Sequence, residues 1–112
     1  MKLRKLLVVA ALVSVAVVQA HAEDGNAGNG YKLALDSCSS CHNIEKGAPF
    51  KLYPPSFQSI AIFRDRLDIW GRIVAPSPHR GMPAAAWTLG PDDVQDLVAY
   101  ITSLDRAVTI PE

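Results

Sequence analysis

Two cysteines three residues apart with a histidine directly after the second, "CSSCH" at residues 38–42, constrain this chain more than any other feature. They are its only cysteines. What such a pair can do depends on the compartment, and the N-terminal segment bears on that. Residues 1–5 carry Lys2, Arg4 and Lys5, and a thirteen-residue apolar run from Leu6 to Val18 follows, broken only by Ser14. A bilayer-spanning helix needs about 20 apolar residues, so this run is too short to span comfortably. It ends in Gln19-Ala20-His21-Ala22, where the two alanines supply the small-x-small pattern a signal peptidase accepts. Residues 1–22 are therefore read as a cleaved secretory signal and residues 23–112 as one exported domain with no stable membrane insertion. An uncleaved anchor is the alternative, and lipid attachment is excluded because no cysteine lies near the cleavage site.

After cleavage the chain has eight basic and eleven acidic residues, a formal charge of −3. Nothing basic enough for nucleic acid remains. A domain of this size buries a modest fraction of its surface and often depends on a staple, metal or cofactor.

In an oxidising compartment a lone cysteine pair is expected to form a disulfide, so a Cys-x-x-Cys thiol oxidoreductase competes with a haem attachment site. The redox motif needs its first thiolate at a helix N-terminus after a buried strand, where the helix dipole lowers the pKa. The preceding "NAGNGYKLALDSC" has no alternating pattern; Tyr31, Ala34, Leu35 and Cys38 recur at helical spacing. The pair therefore ends a helix. Structural zinc needs four Cys or His ligands, so it would take both cysteines and both histidines of residues 23–112, His42 and His79, with none to spare. Haem attachment uses all three residues: two thioethers at fixed separation on one turn, and a histidine that reaches the iron from one axial side.

A sixth iron ligand is available in Met82, the sole methionine of residues 23–112, forty residues after His42. It stands in "APSPHRGMPAAAW", a Pro- and Gly-containing loop instead of an apolar helix face, which favours a held ligand over a flexible core filler. His/Met is the ligand pair that raises haem potentials in electron-transfer proteins. His79, three residues before Met82, is the competing candidate.

Taken together, "CSSCH" at 38–42, "PPSF" at 54–57, "PHRGMP" at 78–83 and "DLVAYITSL" at 96–104 resemble a small exported class I cytochrome c of the bacterial type. The resemblance covers essentially all of residues 23–112. It implies an all-α cytochrome c fold of three to five helices around one covalently attached haem c per chain, with the N- and C-terminal helices crossing. It implies Cys38, Cys41, His42, Pro55, Phe57 and Met82 as cofactor-binding residues, with His42 and Met82 on the iron. The Pro55 carbonyl is expected to accept from His42 Nδ1–H, which leaves Nε2 for the metal, and Phe57 and Ile60 to line the haem. At the crossing, Leu97 and Tyr100 are expected against Gly30. The family often has an aromatic four residues before the first cysteine; Ala34 stands there, and Tyr31, one turn earlier, is the substitute.

Two further helices are written in the sequence. Gly90 permits an N-cap, Pro91 suits the first helical position, Asp92 and Asp93 complement the positive helix end, and Val94, Leu97, Val98, Ile101 and Leu104 form an apolar stripe. In "FRDRLDIWGRIVAP", Leu67, Trp70, Ile73 and Val74 predict a middle helix from near Asp65 to before Pro76. Trp70 and Trp87 are expected to fill core space, with a haem propionate as the alternative partner of either. The tail after Leu104 is expected to be loosely held.

Filling both axial positions leaves outer-sphere electron transfer through the haem edge, so the reading is a soluble periplasmic single-electron carrier and not an enzyme. A haem enzyme or gas or redox sensor with a labile sixth ligand is the alternative. Implied partners are redox proteins: a periplasmic dehydrogenase, a quinol–cytochrome c reductase or a terminal oxidase. Lys46, Lys51 and Arg80 are expected around the haem edge, with Asp92, Asp93, Asp96 and Asp105 collected on the last helix, an asymmetry that can orient docking. This reading predicts that the exported protein starts at Glu23 and weighs more than its peptide by one haem. Acid–organic extraction should leave that haem on the chain; its release would show that Cys38 and Cys41 carry no thioether bonds.

Overall fold

The computed structural model describes residues 24–77, 82 and 88–105. The signal reading, His79, Arg80, Trp87 and the tail from residue 106 lie outside the described residues. Within them the chain forms four helices and no strand: α1 (Ala27–Ser37), α2 (Phe57–Phe63), α3 (Arg66–Val74) and α4 (Pro91–Ser103).

Three of the four helices start on a side chain that caps the first turn. Asn26 caps α1 by accepting from the Asn29 N–H at 2.9 Å. Ser56 caps α2 through Ser59 N–H at 3.3 Å, and Asp65 caps α3 through Asp68 N–H at 2.8 Å. Such caps satisfy donors that have no partner inside the helix. At α4 the reading of Gly90 and Pro91 holds, and Asp93 Oδ2 reaches back to accept from Gly90 N–H at 2.9 Å. Two of the four aspartates assigned to this helix therefore serve the fold locally, because Asp96 Oδ1 accepts from Asn26 N–H.

The crossing of α1 and α4 sets the architecture. Gly30 and Ala34 are the buried residues of α1, and a Cβ on Gly30 would collide with the Asp96 carbonyl and lie 2.7 Å from Tyr100 Cβ. The expected Tyr100 contact is present, the Asp96 backbone approaches Gly30 more closely still, and Leu97 is buried at 2% exposure. Tyr31 packs edge-on against Tyr100 with ring centroids 5.3 Å apart. The ring absent at Ala34, itself fully buried, is thus supplied from one turn earlier.

The middle helix starts at Asp65 and ends before Pro76, as expected, but its inward face differs. Ile69 and Ile73 are buried, whereas Leu67, Trp70 and Val74 are 76%, 43% and 41% exposed. With apolar residues at two angular positions, periodicity alone did not say which stripe turns inward. The β-branched pair four residues apart does. Trp70 lines a shallow groove with Arg66, Leu67, Gln95 and Val98, so its assignment to the core is corrected. Helix α2 had no expected counterpart, since "PPSF" reads as a rigid loop and the helix after it is only seven residues long.

Two glycine substitutions should separate close approach from chain entropy. Gly30→Ala should cost about 2–4 kcal/mol in denaturant unfolding of the holoprotein, because backbone must move to admit the methyl. Gly71→Ala, which meets no atom within 4 Å, should instead stabilise by about 0.5–1 kcal/mol.

Candidate haem site

Helix α1 delivers Cys38 to its end as the C-cap, its N–H bonded to the Ala34 carbonyl at 2.9 Å. The chain then turns tightly: Cys41 N–H and His42 N–H both donate to the Cys38 carbonyl, at 3.1 and 2.9 Å. Ser39 Oγ adds a 2.6 Å bond to the Leu35 carbonyl. One turn of backbone therefore carries both sulfurs and the imidazole.

His42 is held from behind. Its Nδ1 donates to the Pro55 carbonyl over 2.7 Å, which fixes the tautomer and leaves Nε2 with a lone pair. Phe57 N–H donates to the Asn43 carbonyl at 2.9 Å, so the start of α2 is tied to the residue after His42. The Phe57 ring, 4% exposed, packs against the imidazole at 5.3 Å. Lys51 Nζ donates to the Cys41 carbonyl at 3.2 Å, and this places one of the expected cations beside the second cysteine.

These groups open onto a cleft of about 980 Å³ lined by Cys38, Cys41, His42, Pro55, Phe57, Ile60 and Met82, with Leu97 and Ile101 of α4 and Ile69 and Ile73 of α3. Every residue expected to hold a cofactor, from four separate segments, meets this one space. Phe50, Leu52 and Phe63 also line it and are each more than half exposed. An apolar macrocycle seated there would take them out of water, at about 25 cal/mol for each Å² covered. The space suits a cofactor in size. The donor set also fits iron porphyrin: two thiols for covalent attachment, an imidazole nitrogen and a thioether.

The thiols themselves argue against disulfide exchange. Burial pushes the Cys38 thiol up to about 11, whereas the attacking cysteine of an oxidoreductase needs a lowered pKa. Both cysteines are unpaired with each other.

Two residues not singled out by the sequence reading complete the cleft, Arg64 and Arg72. Asp68 lies between them on α3, accepting from Arg64 Nη1 at 2.6 Å and from Arg72 Nε at 3.0 Å. The Arg64 hydrogen bond, with help from Arg72, holds the Asp68 carboxyl below its ordinary range. The four-residue spacing of Arg64, Asp68 and Arg72 was the available signal, but it does not say that the guanidiniums border a cleft. Both guanidiniums border the cleft and are available to a cofactor carboxylate; Trp70 lines a different groove.

The Cytochrome c family model matches residues 27–105. The chain belongs to the cytochrome c family. No curated protein and no solved structure matches it significantly. Cytochromes c carry covalently attached haem c, and Cys38, Cys41 and His42 of this cytochrome c fit the attachment motif. The four described helices, with α1 crossing α4, accord with the fold that membership implies.

Positive charge beside the cleft favours the ferrous, less positive state of iron. Arg64→Gln and Arg72→Gln should each lower the reduction potential of this cytochrome c by roughly 20–60 mV. Potentiometric titration at two ionic strengths should find the larger shift at the lower one.

Proposed function

We propose that this cytochrome c is an exported, periplasmic single-electron carrier in which His42 Nε2 and Met82 Sδ are the axial ligands of one haem c. What supports the reading most is that Cys38, Cys41, His42 and Met82 border one cleft, with the His42 ring already locked by Pro55. The haem supplies the one-electron ferric/ferrous couple. The chain supplies the rest.

Cys38 and Cys41 fix the macrocycle to the end of α1, and the Pro55 carbonyl keeps His42 neutral and aimed. A thioether is a soft, weak donor that favours ferrous iron over ferric, so Met82 raises the potential relative to a second imidazole. If His42 and Met82 both held the iron, no open coordination site would be left for substrate, which favours outer-sphere electron exchange over catalysis. The apolar lining from α3 and α4 keeps water from most of the macrocycle, which also favours the less charged couple.

A haem held in this cleft would exchange electrons past the exposed residues Phe50, Leu52 and Tyr53 that line it. The carrier connects a periplasmic dehydrogenase or quinol–cytochrome c reductase to a downstream acceptor such as a terminal oxidase. Cationic groups at the rim and acidic ones on α4 orient the encounter.

The wild-type ferric protein should show a sulfur-to-iron charge-transfer band and resist added ligands near neutral pH. Met82→His should lower the potential by on the order of 100 mV or more, and Met82→Ala should open the iron to carbon monoxide. Rapid carbon monoxide binding by the wild type, or an unchanged spectrum and potential in Met82→Ala, would instead mark a haem enzyme or sensor.

A further inference from the structure

The face of α3 turned away from the haem cleft is apolar and uncovered. Leu67, Trp70 and Val74 share it at helical spacing, and all three are exposed. Between Leu67 and Val74 stands Gly71, where an added Cβ would meet nothing within 4 Å. The face is thus a ridge with a notch in it. A single exposed leucine is ordinary, but three large apolar residues together on two turns of helix, one of them a tryptophan, form a patch of the kind that marks an interaction site. None of the three lines the haem cleft, so a bound cofactor would leave them in water.

Beside this ridge α3 and α4 border the shallow groove formed by Arg66, Leu67, Trp70, Gln95 and Val98. Its two ends carry opposite charge. Arg66 Nη1 donates to Thr102 Oγ1 at 3.4 Å, which puts the guanidinium at the Thr102 end. Asp92 is exposed and stands one turn before Gln95 on the same side of α4, which puts its carboxylate at the other end. The helical rise places Thr102 and Asp92 about 15 Å apart along α4. Arg66 has one ion-pair neighbour, Asp24 Oδ1 at 3.8 Å with both groups exposed, and Asp92 has none among the described residues. Turning either charge to a partner therefore costs little.

We propose that this ridge and groove are the contact face of a homodimer, in which two copies of the chain pack α3 against α3 in antiparallel sense about a two-fold axis. A face with a cation at one end, an anion at the other and apolar side chains between them is complementary to itself turned end for end. The rotation brings Arg66 of each copy to the partner's Asp92, so the charge pair forms twice, and it lays Leu67 of each copy over the notch at the partner's Gly71. Parallel packing would set like charges against each other. A face one helix wide belongs to the small, transient class of interface, so the dimer forms and dissociates with concentration. Phe50, Leu52 and Tyr53 line the haem cleft and not this groove, and the pair therefore presents two clefts that remain open to redox partners.

Sedimentation equilibrium of the exported holoprotein, from micromolar to millimolar concentration, should find a reversible monomer–dimer equilibrium with no larger species. Leu67→Gln alters a side chain that is exposed in the monomer; it should leave the haem spectrum and the unfolding midpoint unchanged and weaken the dimer about tenfold or more. Arg66→Glu alone and Asp92→Lys alone should each weaken it about tenfold, because each sets two like-charge pairs across the axis. Mixed in equal amounts, these two variants should associate as tightly as wild type. Each altered charge then faces the opposite altered charge, and each original charge keeps its original partner. A role confined to the fold of one copy cannot produce that recovery. Single variants that do not recover on mixing, or a dimer indifferent to Leu67→Gln, overturn this contact face. A wild type that stays monomeric at every concentration overturns the dimer itself; association that appears only after deletion of residues 106–112 would then assign the groove to the chain's own tail, and cosedimentation with phosphatidylglycerol vesicles would assign it to a membrane.

Discussion

The backbone contact of α1 with α4 at Gly30 is the constraint on which the rest depends. Because no side chain separates Gly30 from the Asp96 carbonyl and Tyr100, the two helices meet closely enough for Ala34 to be fully buried beneath the crossing. That contact places Cys38, the last residue of the α1 turn, on the same cleft as Leu97 and Ile101 of α4. A methyl group at Gly30 would force the two helices apart and displace the attachment turn relative to the apolar wall. A close-packed interior transmits such a displacement instead of absorbing it.

Around this frame the site is built from short segments, each weak by itself. The turn from Cys38 to His42 is closed by two bonds to one carbonyl; the Pro55 loop holds the imidazole from behind; α2 brings Phe57 against it; α3 adds isoleucines inward and arginines at the margin. A seven-residue helix such as α2 has no stability in isolation. It exists here because Phe57, Ser59 and Ala61 are buried and Phe57 N–H is taken up by Asn43. Covalent attachment adds a cross-link between a macrocycle and the end of α1, so in this cytochrome c the cofactor is part of the core.

Charge is distributed by local need as much as by docking. Asp93 and Asp96 look in the sequence like members of an acidic surface, yet one closes the first turn of α4 and the other fastens the start of α1. Asp68 binds two arginines and sets where their positive charge lies. Glu45 accepts from Tyr31 and, through its negative charge, also adds to the burial that raises the Tyr100 phenol to about 12. The charges left for partners are therefore fewer than a count of residues suggests.

The sequence by itself determined the attachment motif: two cysteines on one turn, the histidine next to them, and the caps at Asp65 and Gly90 are local relations that survive without knowledge of the fold, whereas Met82, read from its Pro-rich stretch as a loop residue, is helical in the structure. It also determined three of the helices, because their apolar repeats and cap residues agree. Only the tertiary structure decided which face of α3 turns inward, since both Ile69/Ile73 and Leu67/Trp70/Val74 satisfy a helical period. It alone put Trp70 outside, set Arg64 and Arg72 at the cleft, and lined up His42, Phe57, Tyr100 and Tyr31, residues spread over 70 positions of chain. The physical reason is the same in each case: periodicity fixes angles around one helix axis, but which angle is buried depends on where the neighbouring helices lie, and here the glycine contact between α1 and α4 settles that.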